Sequence, residues 1–141
     1  MARGGISHIA LTARDFDLST GFYDQVLGFM GFERVEVPET TQQAMKTRLR
    51  AWASPNGSIT LRPAHAASAG KTHDRNAPGL NHLAFNADSR ADVDGLHALL
   101  QRIGAKILDA PAQYPYFAEY YALYFADPDG VKIELVFWPP A

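Results

Sequence analysis

Two histidines stand at matching places in this 141-residue chain. His8 lies in GISHIALTARD, which begins at Gly5, and His82 lies in GLNHLAFNADS, which begins at Gly79. The imidazoles are 74 positions apart, and the same offset relates Ile59-Thr60-Leu61 to Ile133-Glu134-Leu135. Imidazole and carboxylate together are side chains that hold divalent metals or line polar cavities. A lone strand histidine is more simply a hydrogen-bonded core residue. Glu134 weighs against that simple reading, because a carboxylate between two apolar strand residues is costly to bury unless paired or coordinated.

The elements that must position these groups repeat as well. In the first half, Leu18, Phe22, Val26 and Leu27 recur at helical spacing, with Asp15 or Asp17 as the N-cap and Gly28 as the stop. In the second, Val93, Leu96, Leu100 and Ile103 recur, with Ser89 and Asp92 forming the start and Gly104 the end. Three strand-like segments follow each helix. They are FERVEV, AMKTRLRAWA and SITLRP in the first half, and KILDA, YYALYFA and VKIELVF in the second. The turns ASPNG, from Ala53, and ADPDG, from Ala126, join the last two strands of each half. The fold class expected is α+β: two tandem βαβββ modules forming a partly closed curved sheet, with helices on the outer face. Module one covers residues 5–63, a linker 64–78, and module two 79–138, within one domain of residues 1–141.

Strand alternation sorts the faces. Ile9, Leu11, Leu83, Phe85, Val131, Ile133 and Leu135 should pack under the helices. His8, Ala10, Thr12, His82, Ala84, Asn86, Lys132 and Glu134 fall on the other face, which reads as the wall of a polar cavity.

Bulk composition narrows the class. A net charge of −2 favours neither nucleic acid nor acidic membranes as partners. There is no cysteine, so disulfides and thiolate metal sites are out. No run reaches the ~20 apolar residues of a membrane span, and the N-terminal segment does not read as a signal peptide. A cytoplasmic protein is expected.

With the paired βαβββ units, a histidine on each first strand, and Glu134 in DPDGVKIEL, the chain resembles the vicinal oxygen chelate superfamily. That group includes glyoxalases, extradiol dioxygenases, fosfomycin-resistance enzymes and bleomycin-binding proteins. The resemblance implies His8, His82 and Glu134 as ligands of one divalent metal ion per site. Fe, Mn, Ni, Co and Zn all suit two imidazoles and a carboxylate, which leave positions open for substrate oxygens. It also implies a small-molecule substrate with two adjacent oxygens and a homodimer. The position of a fourth ligand, used by glyoxalase I enzymes, is Thr60 here, and a hydroxyl is a poor ligand for these metals. The Trp-Asn and potassium-loop segments of fosfomycin enzymes are not found. Tyr124, ten positions before Glu134, matches a tyrosine that hydrogen-bonds substrate near the metal in extradiol dioxygenases. Tyr124 and Glu134 are therefore the candidate catalytic residues, with Tyr124 donating or orienting a proton. The reaction expected is dioxygenase-like ring cleavage (an oxidoreductase), with a glyoxalase-like isomerase or lyase next. The alternative is a metal-free, ligand-sequestering protein like the bleomycin-binding members.

Other residues have two readings. Arg48 and Arg50 could meet an anionic substrate or lie on a solvated edge. His65, His73 and His97 read as solvated. The aromatic run from Tyr114 to Tyr121 is either a wall or lid for an apolar ligand or a subunit contact. VFWPPA, ending the chain, shares that ambiguity, with Pro139 and Pro140 stopping the last strand.

Overall fold

A computed structural model describes residues 3–139. The chain divides into two compact units, Met1–Lys71 and Thr72–Ala141, each holding a four-stranded mixed sheet. In the first unit, strands β1 (His8–Ala13), β2 (Glu33–Val35), β3 (Arg50–Ser54) and β4 (Gly57–Pro63) lie in the order β1-β4-β3-β2. In the second, β5 (Leu83–Asn86), β6 (Lys106–Gln113), β7 (Tyr121–Ala126) and β8 (Lys132–Phe137) lie in the order β5-β8-β7-β6. The first and last strands of each unit pair in parallel and the others antiparallel. This is the duplicated α+β fold the sequence predicts.

Helix α1 (Phe16–Phe29) begins where Asp15 accepts a 3.0 Å bond from the Leu18 amide, so Asp15, not Asp17, is the cap. It buries Phe16, Tyr23, Val26 and Leu27. Leu18, expected on the core side, is 60% exposed, and Gly28 lies inside the helix. The stop comes at Gly31, whose φ of 88° suits a residue without Cβ. Trp52 fills the space beneath α1 and donates its indole N–H to Asp24, 2.9 Å away. Helix α3 (Arg90–Arg102) starts at Ser89, which accepts from the Asp92 amide, and buries Val93, Leu96, Leu99 and Leu100. Gly104 follows at φ 70°.

One expected strand is cut to less than half its expected length. Of AMKTRLRAWA, only Arg50 onward enters β3; Ala44 and Met45 end a short helix α2 (Glu39–Met45). No α2 residue is buried, so it carries no apolar period to be read. Gln42 holds it in place: its amide donates to Val37 and its carbonyl accepts from the Leu49 amide at 2.9 Å.

The two look-alike turns also differ. Ser54 pairs with Gly57 across the two-residue turn Pro55-Asn56. In ADPDG, Ala126 pairs with Lys132, and Asp127 accepts from the amides of Asp129 (2.8 Å) and Val131 (2.9 Å), closing a longer loop. The segment expected as a linker contains a 3₁₀ turn (Ala66–Ser68). Its later part is tied to the second unit by the His73 amide donating to Asp129 and by the His73 ring, 2.9 Å from the Leu80 carbonyl. His65 is exposed, whereas His73 and His97 are half-buried rather than solvated. Pro139 follows the last strand, and Pro140 lies outside the described residues.

Candidate functional site

Strand register puts the expected groups on defined faces. In the second unit Ala84, Glu134 and Tyr124 are direct cross-strand partners, so they share one face, opposite Leu83, Ile133 and Leu123. Tyr124, whose face alternation alone leaves open across the β7–β8 turn, therefore stands beside Glu134. In the first unit Ala10, Thr60 and Ala51 form the corresponding row. Thr60 thus occupies the register position of Glu134, and His8, paired with Ser58, sits one step away on that face.

Glu134 is 2% exposed on a central strand, and both carboxylate oxygens are engaged. Oε1 lies 3.1 Å from His82 Nε2, and Oε2 accepts a very short bond from the Tyr120 hydroxyl. His82 stands just before β5, about one-third exposed, with Nδ1 2.7 Å from Asn81 Oδ1. The first unit repeats this device: His8 Nδ1 is 3.2 Å from the Ser7 hydroxyl, and Ser7 and Asn81 are again 74 positions apart. Each histidine thus has a neighbour at Nδ1, which in His82 leaves Nε2 to meet Glu134.

Apolar and aromatic groups surround the carboxylate. Ala122, Tyr124 and Val136 form a buried cluster with Tyr114 and Tyr120 packed against it. Lys132 places its ammonium 4.5 Å from the Tyr124 ring centre. Burial, and then the bond to Glu134, push the Tyr120 phenol up to about 12. Burial, followed by the Glu134 charge, raises Tyr124 further still. Both phenols therefore stay protonated near neutral pH and act as donors, not bases. Beyond Tyr120 the aromatic run turns outward. Tyr116 and Phe117 are exposed, and Phe117 stacks on Trp138 with ring centres 4.3 Å apart.

These donors fit a divalent metal. With Nδ1–H given to Asn81, a neutral His82 ring turns an Nε2 lone pair toward Glu134 Oε1, and two acceptors 3.1 Å apart need a proton or a cation between them. Among the described residues no three His, Cys, Asp or Glu side chains gather where they could hold a metal ion, and the pair brought together is His82 and Glu134.

The remaining candidates fall elsewhere. Arg50 pairs with Leu61, on the helix-side face, and Arg48 and Arg50 stand 4.4 and 4.9 Å over the Phe16 ring. Arg48, itself exposed, also pairs with Asp17 at 3.1 Å, so these arginines brace the start of α1. Asn81 is not among the residues singled out in the sequence, and Tyr120 figures there only as part of the aromatic run, not as a partner of Glu134. The repeat carries a signal for Asn81, since a polar residue precedes each histidine. For Tyr120, at the end of a loop, no periodicity exists to find it.

A family profile, the Glyoxalase/Bleomycin resistance protein/Dioxygenase superfamily, matches residues 5–135. A glyoxalase-type structure from Bacillus halodurans is 26% identical, with a TM-score of 0.81 over 96% of this chain and 97% of that one. A glyoxylase/bleomycin resistance protein/dioxygenase domain from Frankia sp. EAN1pec is 27% identical, with a TM-score of 0.78 over 98% and 100% of the two chains. An uncharacterised Bacillus subtilis protein, YqjT, is 40% identical over 60 residues, a match spanning 41% of this chain and 46% of that protein. No helix is long and apolar enough to cross a membrane among the described residues. With its two βαβββ units, its paired histidines and a family match over nearly its whole length, the chain belongs to the glyoxalase, bleomycin resistance and dioxygenase superfamily, the vicinal oxygen chelate group.

Proposed function

We propose that the protein is a metal-dependent enzyme acting on a small molecule with two adjacent oxygens. His82 and Glu134 supply two ligands to one divalent ion and His8 the third. The observation that carries this reading is the approach of His82 Nε2 to Glu134 Oε1 at 3.1 Å while Asn81 occupies Nδ1. When bound, the ion polarises the substrate's oxygen pair and orients it. The chain's own residues do the rest. Asn81 fixes the imidazole, and Tyr120 fixes the carboxylate. Tyr124, on the same face as Glu134 and protonated at neutral pH, donates a hydrogen bond to a substrate oxygen and can deliver a proton there. The buried cluster of Ala122 and Val136 keeps water from that bond. Ring cleavage of the dioxygenase kind fits a three-ligand site beside a tyrosine. A glyoxalase-like isomerase or lyase step is the next candidate, with Thr60 in place of a fourth ligand. A cytoplasmic homodimer with one ion per site completes the proposal.

A second reading is a metal-free binding protein that sequesters its ligand. It is favoured by one observation: Glu134 has a protein partner on each oxygen. Elemental analysis and metal titration of purified protein separate the two. Stoichiometric metal with a rise in Tm supports the enzyme. Equal affinity in the parent and in His82→Ala refutes the site.

A further inference from the structure

We infer that the substrate carries an oxyanion distal to its metal-binding oxygens, and that Arg62 and Thr60 receive it. This rests on the metal-enzyme reading. The first unit's sheet has a face opposite its buried Ile59 and Leu61 that is built mostly of small residues. Ala10, Thr60 and Ala51 form one row, His8, Ser58 and Ala53 the next, and Thr12 and Arg62 a third. On that face two polar atoms are sealed from solvent without a hydrogen-bond partner: Thr60 Oγ1 and Arg62 Nε. They sit two residues apart on β4, so both side chains leave the same face about 7 Å apart.

Buried donors of this kind are rare in folded proteins and are met by a ligand or water when not by protein. A guanidinium adds a charge, and its forked N–H groups match carboxylate or phosphonate oxygens. Arg50 is a useful contrast. Its Nε is also buried without a hydrogen-bond partner, but it lies on the helix side with its guanidinium over Phe16. Arg62 has no such ring partner and forms no ion pair with an acid among the described residues. The acid on that face, Glu33, pairs with Ala53 in the His8 row, at the opposite edge of the sheet from β1. Arg62 is four residues along β4 from Ser58, the partner of His8, which is about 13 Å of strand. A molecule chelated at the histidine end therefore needs a body of several bonds to bring its anion to Arg62. The substrate class is a compact organic acid, carboxylate or phosphonate, with an adjacent oxygen pair at its other end. The corresponding position in the second unit is Val136, an apolar residue inside the aromatic cluster, so the charge belongs to the first unit alone.

The test uses full-length, metal-loaded protein and three hydroxamates measured by calorimetry. Acetohydroxamate offers only the oxygen pair. Succinic monohydroxamate adds a distal carboxylate, and phosphonoacetohydroxamate a phosphonate. At least one tailed probe should bind tenfold or more tighter than acetohydroxamate, and whichever gains more names the anion. Arg62→Met should erase that advantage and leave acetohydroxamate unchanged, Arg62→Lys should keep part of it, and Thr60→Val should lower it severalfold. Should Arg62→Met fail to fold, the Lys and Val variants carry the comparison. Equal affinities of all three probes for the parent would overturn the inference while leaving the metal site standing. Binding of no hydroxamate at all would overturn the metal-enzyme reading and this inference with it. Loss of the tail advantage together with a change in oligomeric state would assign Arg62 to a subunit interface and also overturn it.

Discussion

Replacing Glu134 by leucine separates a residue kept for chemistry from one kept for folding. Glu134 is 2% exposed on the central strand β8, between Ile133 and Leu135, and its cross-strand neighbours are Ala84 and Tyr124. Removing it gives up the contacts with His82 and Tyr120, and a hydrogen bond to a charged group contributes about 1.5–3 kcal/mol. Against this stands the desolvation of the carboxylate, several kcal/mol per buried ion, which the leucine avoids. Both former partners keep access to water: His82 is about one-third exposed and Tyr120 half-buried, so neither is left orphaned. The terms nearly cancel, with a balance toward the apolar side chain. Metal-free Glu134→Leu should unfold in urea between parent-like stability and about 2 kcal/mol above it, a Tm change of 0 to about +8 °C for a chain of 141 residues. The assay is urea unfolding followed by circular dichroism with a chelator present, so that lost metal binding does not enter the comparison. The same variant should no longer gain stability from added metal. A metal-free loss exceeding 2 kcal/mol, or metal stabilisation equal to the parent's, would refute the assignment of Glu134 as a functional ligand.

Asn81→Ala frees Nδ1 of His82 and should weaken metal affinity about 10- to 100-fold, read by competition with a chromophoric chelator. Tyr120→Phe removes the donor on Glu134 Oε2 and should weaken it within the same range, while metal-free stability falls by about 1.5–3 kcal/mol. Alkaline titration should show one tyrosine ionising near pH 12 in the metal-free protein, absent from Tyr120→Phe. Because folding holds that phenol above its ordinary 10, its contribution to stability is complete below pH 10 and is lost as pH rises towards 12. Trp52→Ala should cost about 3–5 kcal/mol, since the indole is 1% exposed under α1 and bonded to Asp24.

The duplication is legible because the two units must each bury one helix against one sheet, so apolar strands and capping residues recur at a nearly constant offset. Asp15 and Ser89 are readable for that reason: a cap is a local rule, satisfied within three residues. Helix α2 is not readable, because Gln42 side-chain bonds hold it and no apolar face does. The two hairpin turns look alike in composition, yet a single carboxylate, that of Asp127, makes the second longer. At the site, the face of His8, His82 and Glu134 follows from period-two alternation. Tyr124 needs the register across the β7–β8 loop, which only pairing supplies. Tyr120 reaches Glu134 from the end of a loop whose path no sequence period describes. Arg48 and Arg50 alternate like cavity residues in the sequence, but Arg50 pairs with Leu61 and so faces α1.

The decisive measurement is a crystal structure of metal-loaded protein with the ion located by anomalous scattering. The account predicts one peak per site, about 2.0–2.2 Å from Nε2 of a His8, Nε2 of a His82 and a carboxylate oxygen of a Glu134. A peak held by other side chains, or no peak in protein that carries stoichiometric metal in solution, would contradict it.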